Sequence, residues 1–157
     1  MSDEMIKLLA EKDGAIQINF GSMFVSKPVN EGFSKRRKHA LKNIEKRGLT
    51  GEEKEAYVNK YVEQHPIGGA DISDVVANID HVVKLVGIDY VGLGSDFDGV
   101  GDNLPTGLKD VSCYPNLIYE LLKKGYTEKD VERICSGNFL RVWSKVLDVA
   151  ADLRREK

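Results

Sequence analysis

A chain of 157 residues, 41% hydrophobic and 31% charged, is long enough for one folded domain with a sizeable core and too apolar to be disordered. Lys and Arg number 23 against 25 Asp and Glu, a net charge of −2, so no overall basic field recruits nucleic acid or an anionic membrane. No apolar run reaches the roughly 20 residues that span a bilayer, and residues 1–4 open acidic without a hydrophobic signal core, so the expected setting is soluble and cytoplasmic. Cys113 and Cys135 stand far apart with no Cys or His at ligand spacing, which predicts free thiols in a reducing compartment.

Met5, Ile6, Leu8 and Leu9, between Ser2 as a cap and Asp13-Gly14 as a stop, predict a short amphipathic helix. Residues 15–20 follow as a strand-like run, so helix and strand alternate across a tight link, half of an α/β repeat. Asn19 interrupts that run near its carboxyl end, where a polar side chain either faces a ligand or serves as a satisfied structural amide. Met23-Phe24-Val25 continues apolar, which predicts a loop tucked over a pocket.

Residues 34–64 change character and read as a helical insertion. Ser34 is the expected cap of a first helix that Gly48 ends, and Thr50-Gly51-Glu52-Glu53 has the spacing of a capping box for a second. The basic cluster from Lys35 to Arg47 has acids close by and no interleaved aromatics, so it reads as a solvated face rather than a nucleic-acid patch. His39 and His65 have no partner at metal-pair spacing. Next comes the most regular helical pattern in the chain. Ile72, Val75, Val76, Ile79, Val82, Val83 and Val86 make one continuous apolar face, with Asp71 and Asp74 at its amino end and Gly87 at its close, and His81 lies beside the stripe. Such a face must pack against a sheet.

The strand that this helix leads into, residues 88–93, is apolar and expected to be buried on both faces, and it runs straight into Gly94-Ser95-Asp96-Phe97-Asp98-Gly99. A buried strand ending in carboxylates between glycines delivers them to the carboxyl edge of a parallel sheet, where α/β proteins keep their active sites. Asp96 is the first candidate for chemistry, with simple capping of the turn as the alternative. A polar loop, residues 99–107, is long enough to form part of a pocket wall. Three short helices are then expected: one around Leu117, Ile118, Leu121 and Leu122, one burying Val131, Ile134 and Cys135, and, after a break at Ser136-Gly137-Asn138, one whose Phe139, Leu140, Val142, Trp143, Val146 and Leu147 line the core.

Three stretches resemble the membrane dipeptidase (renal dipeptidase) family of zinc metallopeptidases. They are Val91-Gly92-Leu93-Gly94-Ser95-Asp96-Phe97-Asp98-Gly99, the segment from Pro105 through Tyr114-Pro115-Asn116-Leu117-Ile118, and Gly137-Asn138-Phe139-Leu140-Arg141-Val142; Ile18-Asn19-Phe20 fits the same family. The resemblance implies the carboxyl-terminal part of a (β/α)8 TIM barrel of the amidohydrolase superfamily: the last two strands with their helices, the helical insertion and the carboxyl-terminal helices. It implies a complete enzyme in which two zinc ions activate a water and polarise the scissile carbonyl of a dipeptide or related small amide. Asp96 matches the acidic residue beside the metal-bound water, which takes the proton and passes it to the leaving amine. Asp98, one pleat further, is expected to be structural. Asn19 and Phe24 are the expected substrate contacts, Phe24 standing where the family often carries a tyrosine.

The family's metal ligands, a His-x-Asp, a bridging Glu and two further His, have no counterpart among these residues, so no zinc is expected to bind this chain alone. Three readings follow: part of a zinc dipeptidase completed by the amino-terminal part of the barrel, a non-catalytic association module, or a binding protein acting through residues 35–47. The strand faces carrying Ile16, Ile18, Val91 and Leu93 are expected to lack barrel partners and to drive homo-oligomer formation or marginal stability.

Overall fold

Ser2 caps the first helix, α1 (Asp3–Glu11), through a hydrogen bond from the Met5 N–H at 3.4 Å. The chain leaves it through the left-handed conformation of Asp13, φ 58°, one residue before the expected glycine stop. The computed structural model describes residues 1–155 and continues with β1 (Ile16–Asn19) and a single helical turn, α2 (Ser22–Val25). Two long helices, α3 (Lys27–Arg47) and α4 (Gly51–Gln64), form a hairpin, and α5 (Ile72–Val86) leads through a 3₁₀ turn into β2 (Val91–Ser95). After the polar loop come α6 (Tyr114–Lys123), α7 (Glu128–Glu132) and α8 (Asn138–Arg155).

The two strands pair in parallel, Ile16 with Val91, Gln17 with Gly92 and Ile18 with Leu93. A bulge then skips Gly94, so Asn19 pairs with Ser95. Alternation puts Ile18 and Val91 into the same core as Val75, Val76, Ile79 and Val82 of α5, with Ile16 and Leu93 packed against it. At about 25 cal/mol per Å² of apolar area, a fully buried Ile or Val contributes roughly 1.5–3 kcal/mol, and Val75, Ile79 and Val91 are all wholly inaccessible. Asp71 caps α5 with a reciprocal box: its carboxylate accepts from the Ser73 N–H at 2.7 Å while Asp74 accepts from the Asp71 N–H at 3.1 Å. Asn138, 3% exposed, spends both N–H bonds of its amide on the Ile88 and Val91 carbonyls at 2.7 and 2.8 Å, tying the start of α8 to the start of β2.

Several expectations are corrected here. Helix α3 begins seven residues before Ser34, behind Ser26 with Pro28 in its first turn, because nothing between Pro28 and Ser34 breaks it; Gly32 is held inside the helix where Ile67 crosses close above it. Thr50 precedes α4 but its side chain makes no capping bond, and Gly51 starts the helix at φ 51°. Residues 23–25 are helical rather than loop. Residues 136–138 do not break the chain's helical course: a π-type turn, Arg133–Gly137, absorbs one extra residue and carries α7 into α8. Cys135 is exposed while its neighbour Ile134 is buried, and both cysteines are free thiols.

The largest correction concerns α8. Its apolar residues share one side of the helix, but that side faces solvent: Leu140, Trp143 and Leu147 are each 55% exposed. Conversely, the strand face turned away from the helices is not an apolar patch, because it presents exposed Gln17, whose amide lies over Gly92 so closely that an added Cβ there would sit 2.6 Å from it. The strand expected to be buried on both faces is so only at its start: Val91 and Gly92 are buried, Gly92 beneath the Gln17 amide, while Leu93, Gly94 and Ser95 are half-buried. Among the described residues, no helix is long and apolar enough to cross a membrane.

Candidate functional site

Each strand ends on the same pair of residue types, a polar side chain followed by an aromatic: Asn19-Phe20 on β1 and Asp96-Phe97 just after β2. The aromatics turn inward. Phe20, wholly buried, meets Phe97 and Tyr114 edge to face at 5.8 and 6.1 Å, and Phe97 meets Tyr114 at 5.9 Å. Such contacts contribute about 0.5–1.5 kcal/mol each beyond burial, so the two strand ends are pinned from below.

The polar partners meet above them. Asn19 Nδ2 donates to Asp96 Oδ2 at 2.5 Å, joining residues 77 positions apart, and Asn19 Oδ1 accepts from the Gly21 N–H at 2.8 Å. A backbone N–H can only donate, so the Gly21 contact fixes which end of the amide is oxygen and turns the NH₂ group toward the carboxylate. The bulge makes this possible: by skipping Gly94 it advances β2 one residue against β1 and brings Asp96 next to Asn19. Phe20 N–H holds the advanced register by donating to the Ser95 carbonyl at 3.0 Å.

Asp96 also sits on unusual backbone. Ser95 and Asp96 are consecutive non-glycine residues in the left-handed region, φ 39° and 66°, a conformation that costs of order 1–3 kcal/mol each and persists where surrounding contacts over-determine it. Gly99 packs against the carboxylate so tightly that an added Cβ would overlap it. The carboxylate is therefore held by a donor on one side and by backbone on another, and Asp96 Oδ1 has no hydrogen bond among the described residues.

Phe24 belongs to the same neighbourhood. Its ring covers Gly21, where an added Cβ would lie 2.8 Å from the ring and 3.0 Å from Val100, a residue of the loop after Asp96. At 58% exposure, the ring forms an open apolar wall beside the carboxylate turn. Asp98 is exposed and makes no hydrogen bond or ion pair among the described residues, so its expected structural role has no bonded partner here. His81 pairs with Asp3 at 2.8 Å, and His65 stacks on Tyr61 at 4.0 Å, both remote from the strand ends in the chain. Among the described residues no group of three or more His, Cys, Asp or Glu side chains is placed to hold a metal ion, so these residues do not by themselves fit a zinc centre.

In the sequence Gly99 stood only as a flank of the carboxylates; the role of Gly21, which with Gly99 shapes the turn around the carboxylate, and the aromatic trio beneath it were both missed. The repeated polar-aromatic pair at both strand ends was the available signal for the trio.

Comparisons with known proteins point one way. The family model described as "Membrane dipeptidase (Peptidase family M19)" matches residues 1–157. Dipeptidase aclJ from Aspergillus oryzae is 44% identical over 94 residues, 60% of this chain and 22% of that protein. The crystal structure of the probable dipeptidase PvdM from Pseudomonas aeruginosa superposes with a TM-score of 0.67 at 30% identity, covering 91% of this chain and 40% of that one. A dipeptidase described as a metallopeptidase of family M19 shares the fold at a TM-score of 0.59 and 22% identity, over 88% of this chain and 29% of its own. The chain thus spans less than half the length of each of these relatives.

Proposed function

Because the chain belongs to the membrane dipeptidase family, peptidase family M19, a family of hydrolases, we propose that it is the carboxyl-terminal part of a (β/α)8 dipeptidase and supplies that enzyme's acid/base carboxylate, Asp96. The observation that carries this reading is the carboxylate itself, rigidly held at a parallel strand end, with Oδ2 bonded to Asn19 and Oδ1, which packs beside Gly99, without a hydrogen bond among the described residues. Catalysis by a carboxylate needs a group held within hydrogen-bond reach of the attacking water, and a pinned strand end supplies the required rigidity. Asp96 accepts a proton as water adds to the scissile carbonyl carbon, and returns it to the amide nitrogen as the C–N bond breaks, leaving two free amino acids. Phe24 forms an apolar wall for one substrate side chain. The zinc ions implied by the resemblance would take their ligands from residues outside this chain.

The test is Asp96→Asn in the complete, metal-loaded enzyme, which keeps the side-chain shape and the strand end. Turnover of dipeptides falls by about 10²–10⁴-fold while metal content stays the same. Unchanged turnover, or turnover lost together with the metal, rejects the assignment. The exposed apolar side of α8 favours a second reading, an association module without catalysis. A metal-free oligomer inactive on every dipeptide, even with the rest of the barrel present, would establish it.

A further inference from the structure

We infer that Asn19 is a positioning residue for Asp96 and not itself a substrate contact. The inference rests on the reading of Asp96 as the proton acceptor, and concerns how that carboxylate is aimed.

Both ends of Asn19 are engaged within the protein: the oxygen on the Gly21 N–H at 2.8 Å and the nitrogen on Asp96 Oδ2 at 2.5 Å. An amide bound at both ends cannot rotate to follow a ligand without giving up one of these bonds. Neither partner is a flexible side chain at the surface. Gly21 is buried in the turn under Phe24, and Asp96 stands on two consecutive left-handed residues with Gly99 against its carboxylate. Asn19 itself is part of β1, fixed below by the buried Phe20 and across the bulge by its pairing with Ser95. The amide therefore transmits the position of one strand end to the carboxylate at the other.

The consequence for chemistry is a choice between two oxygens. Donation to Oδ2, with Gly99 packed against Oδ1, fixes the rotation of the carboxylate and so the direction in which its remaining lone pairs meet a proton. A carboxylate free to rotate about its Cβ–Cγ bond would present either oxygen, and misplacement of a reacting group by about 1 Å can cost on the order of 10²-fold in rate. The cost of losing Asn19 thus falls on the chemical step. A residue that contacts substrate in ground state and transition state alike would instead change KM. The second N–H of Asn19 makes no bond among the described residues, and the split between kcat and KM distinguishes positioning from substrate contact.

The experiment is a double-mutant cycle in the complete, metal-loaded enzyme, with Asn19→Ala, Asn19→Asp, Asp96→Asn and the Asn19→Ala/Asp96→Asn pair. Asn19→Ala lowers kcat by about 10–100-fold with KM within about threefold of wild type. Asn19→Asp keeps the acceptor for Gly21 but sets a second carboxylate against Asp96, and it lowers kcat at least as far, which decides the matter should the alanine variant fold poorly. The pair turns over within about threefold of Asp96→Asn alone, because a positioning residue has nothing left to position. Metal content and melting temperature measured on each variant separate these effects from unfolding. A raised KM with kcat kept in Asn19→Ala, or losses that multiply in the pair, would overturn the inference while leaving Asp96 in its role. Full activity of Asp96→Asn alone would instead reject the underlying reading.

Discussion

Replacing Gly99 by Ala adds one methyl group, and the structure gives that methyl one serious conflict, the Asp96 carboxylate. Gly99 is not in the left-handed region, so the substitution brings no backbone strain of its own. Relief comes from rotating Asp96 away, which sacrifices the bond from Asn19 Nδ2. A hydrogen bond to a charged group contributes about 1.5–3 kcal/mol, and partial exposure of this pair reduces that to about 1–2 kcal/mol. For a chain of this length the loss lowers Tm by about 2–8 °C. The sharper measurement is a cycle with Asp96→Ala, read by urea unfolding. Any strain of Ala in the left-handed region at position 96 is common to both arms and cancels. Gly99→Ala then costs about 1–2 kcal/mol in the wild-type background and less than about 0.5 kcal/mol where the carboxylate is gone. Equal costs in the two backgrounds would refute the idea that Gly99 is small in order to seat Asp96.

Asn138→Leu, close in shape but without donors, leaves the Ile88 and Val91 carbonyls buried and unpaired and lowers stability by about 2–4 kcal/mol, measured by denaturant midpoint; a loss under about 1 kcal/mol is incompatible with the bonding described. Alkaline stability reports on Tyr126, whose phenol is pushed up to about 12 from 10.0 by burial first, then by the charge and hydrogen bond of Asp80. Because the folded value is the higher one, this contribution is complete below pH 10 and lost as pH rises from 10 toward 12, so Tyr126→Phe flattens the fall in stability across that window and an identical slope rejects the assignment.

Much of the local structure was legible in the residues. The stripe from Ile72 to Val86 marked α5, and the Asp71 and Asp74 carboxylates marked its cap, because both signals depend on neighbours within a turn or two. The apolar run ending in Asp96 likewise announced a strand with a carboxylate at its end, a pattern that needs only covalent order and alternation, although residues 88–90, read as its start, form a 3₁₀ turn and the strand runs Val91–Ser95. Even so, Ser34 misled, since α3 begins at Lys27, whereas Thr50 does stand before α4 and lacks only the side-chain bond of a capping box. A capping residue is compatible with a helix start but does not compel one, and here Pro28, tolerated in a first helical turn, lies at the actual start.

Other features exist only in three dimensions. Periodicity along α8 showed that Leu140, Trp143 and Leu147 share one side, but not what lies against that side, and it proved to be solvent. The same limit applied to the strands, on whose second face Gln17 lies over Gly92, a contact between residues far apart in the chain. The meeting of Asn19 with Asp96 is the clearest case. Each was a candidate by composition and position, yet their bond depends on a one-residue bulge in the pairing of two strands 77 positions apart, and register is set by packing of the whole sheet against α5 and the Phe20, Phe97 and Tyr114 rings. The sequence by itself thus determined which groups stand at the strand ends, because alternation and capping are local; only the tertiary structure decided which of them touch, because register and face-covering are properties of the packed whole.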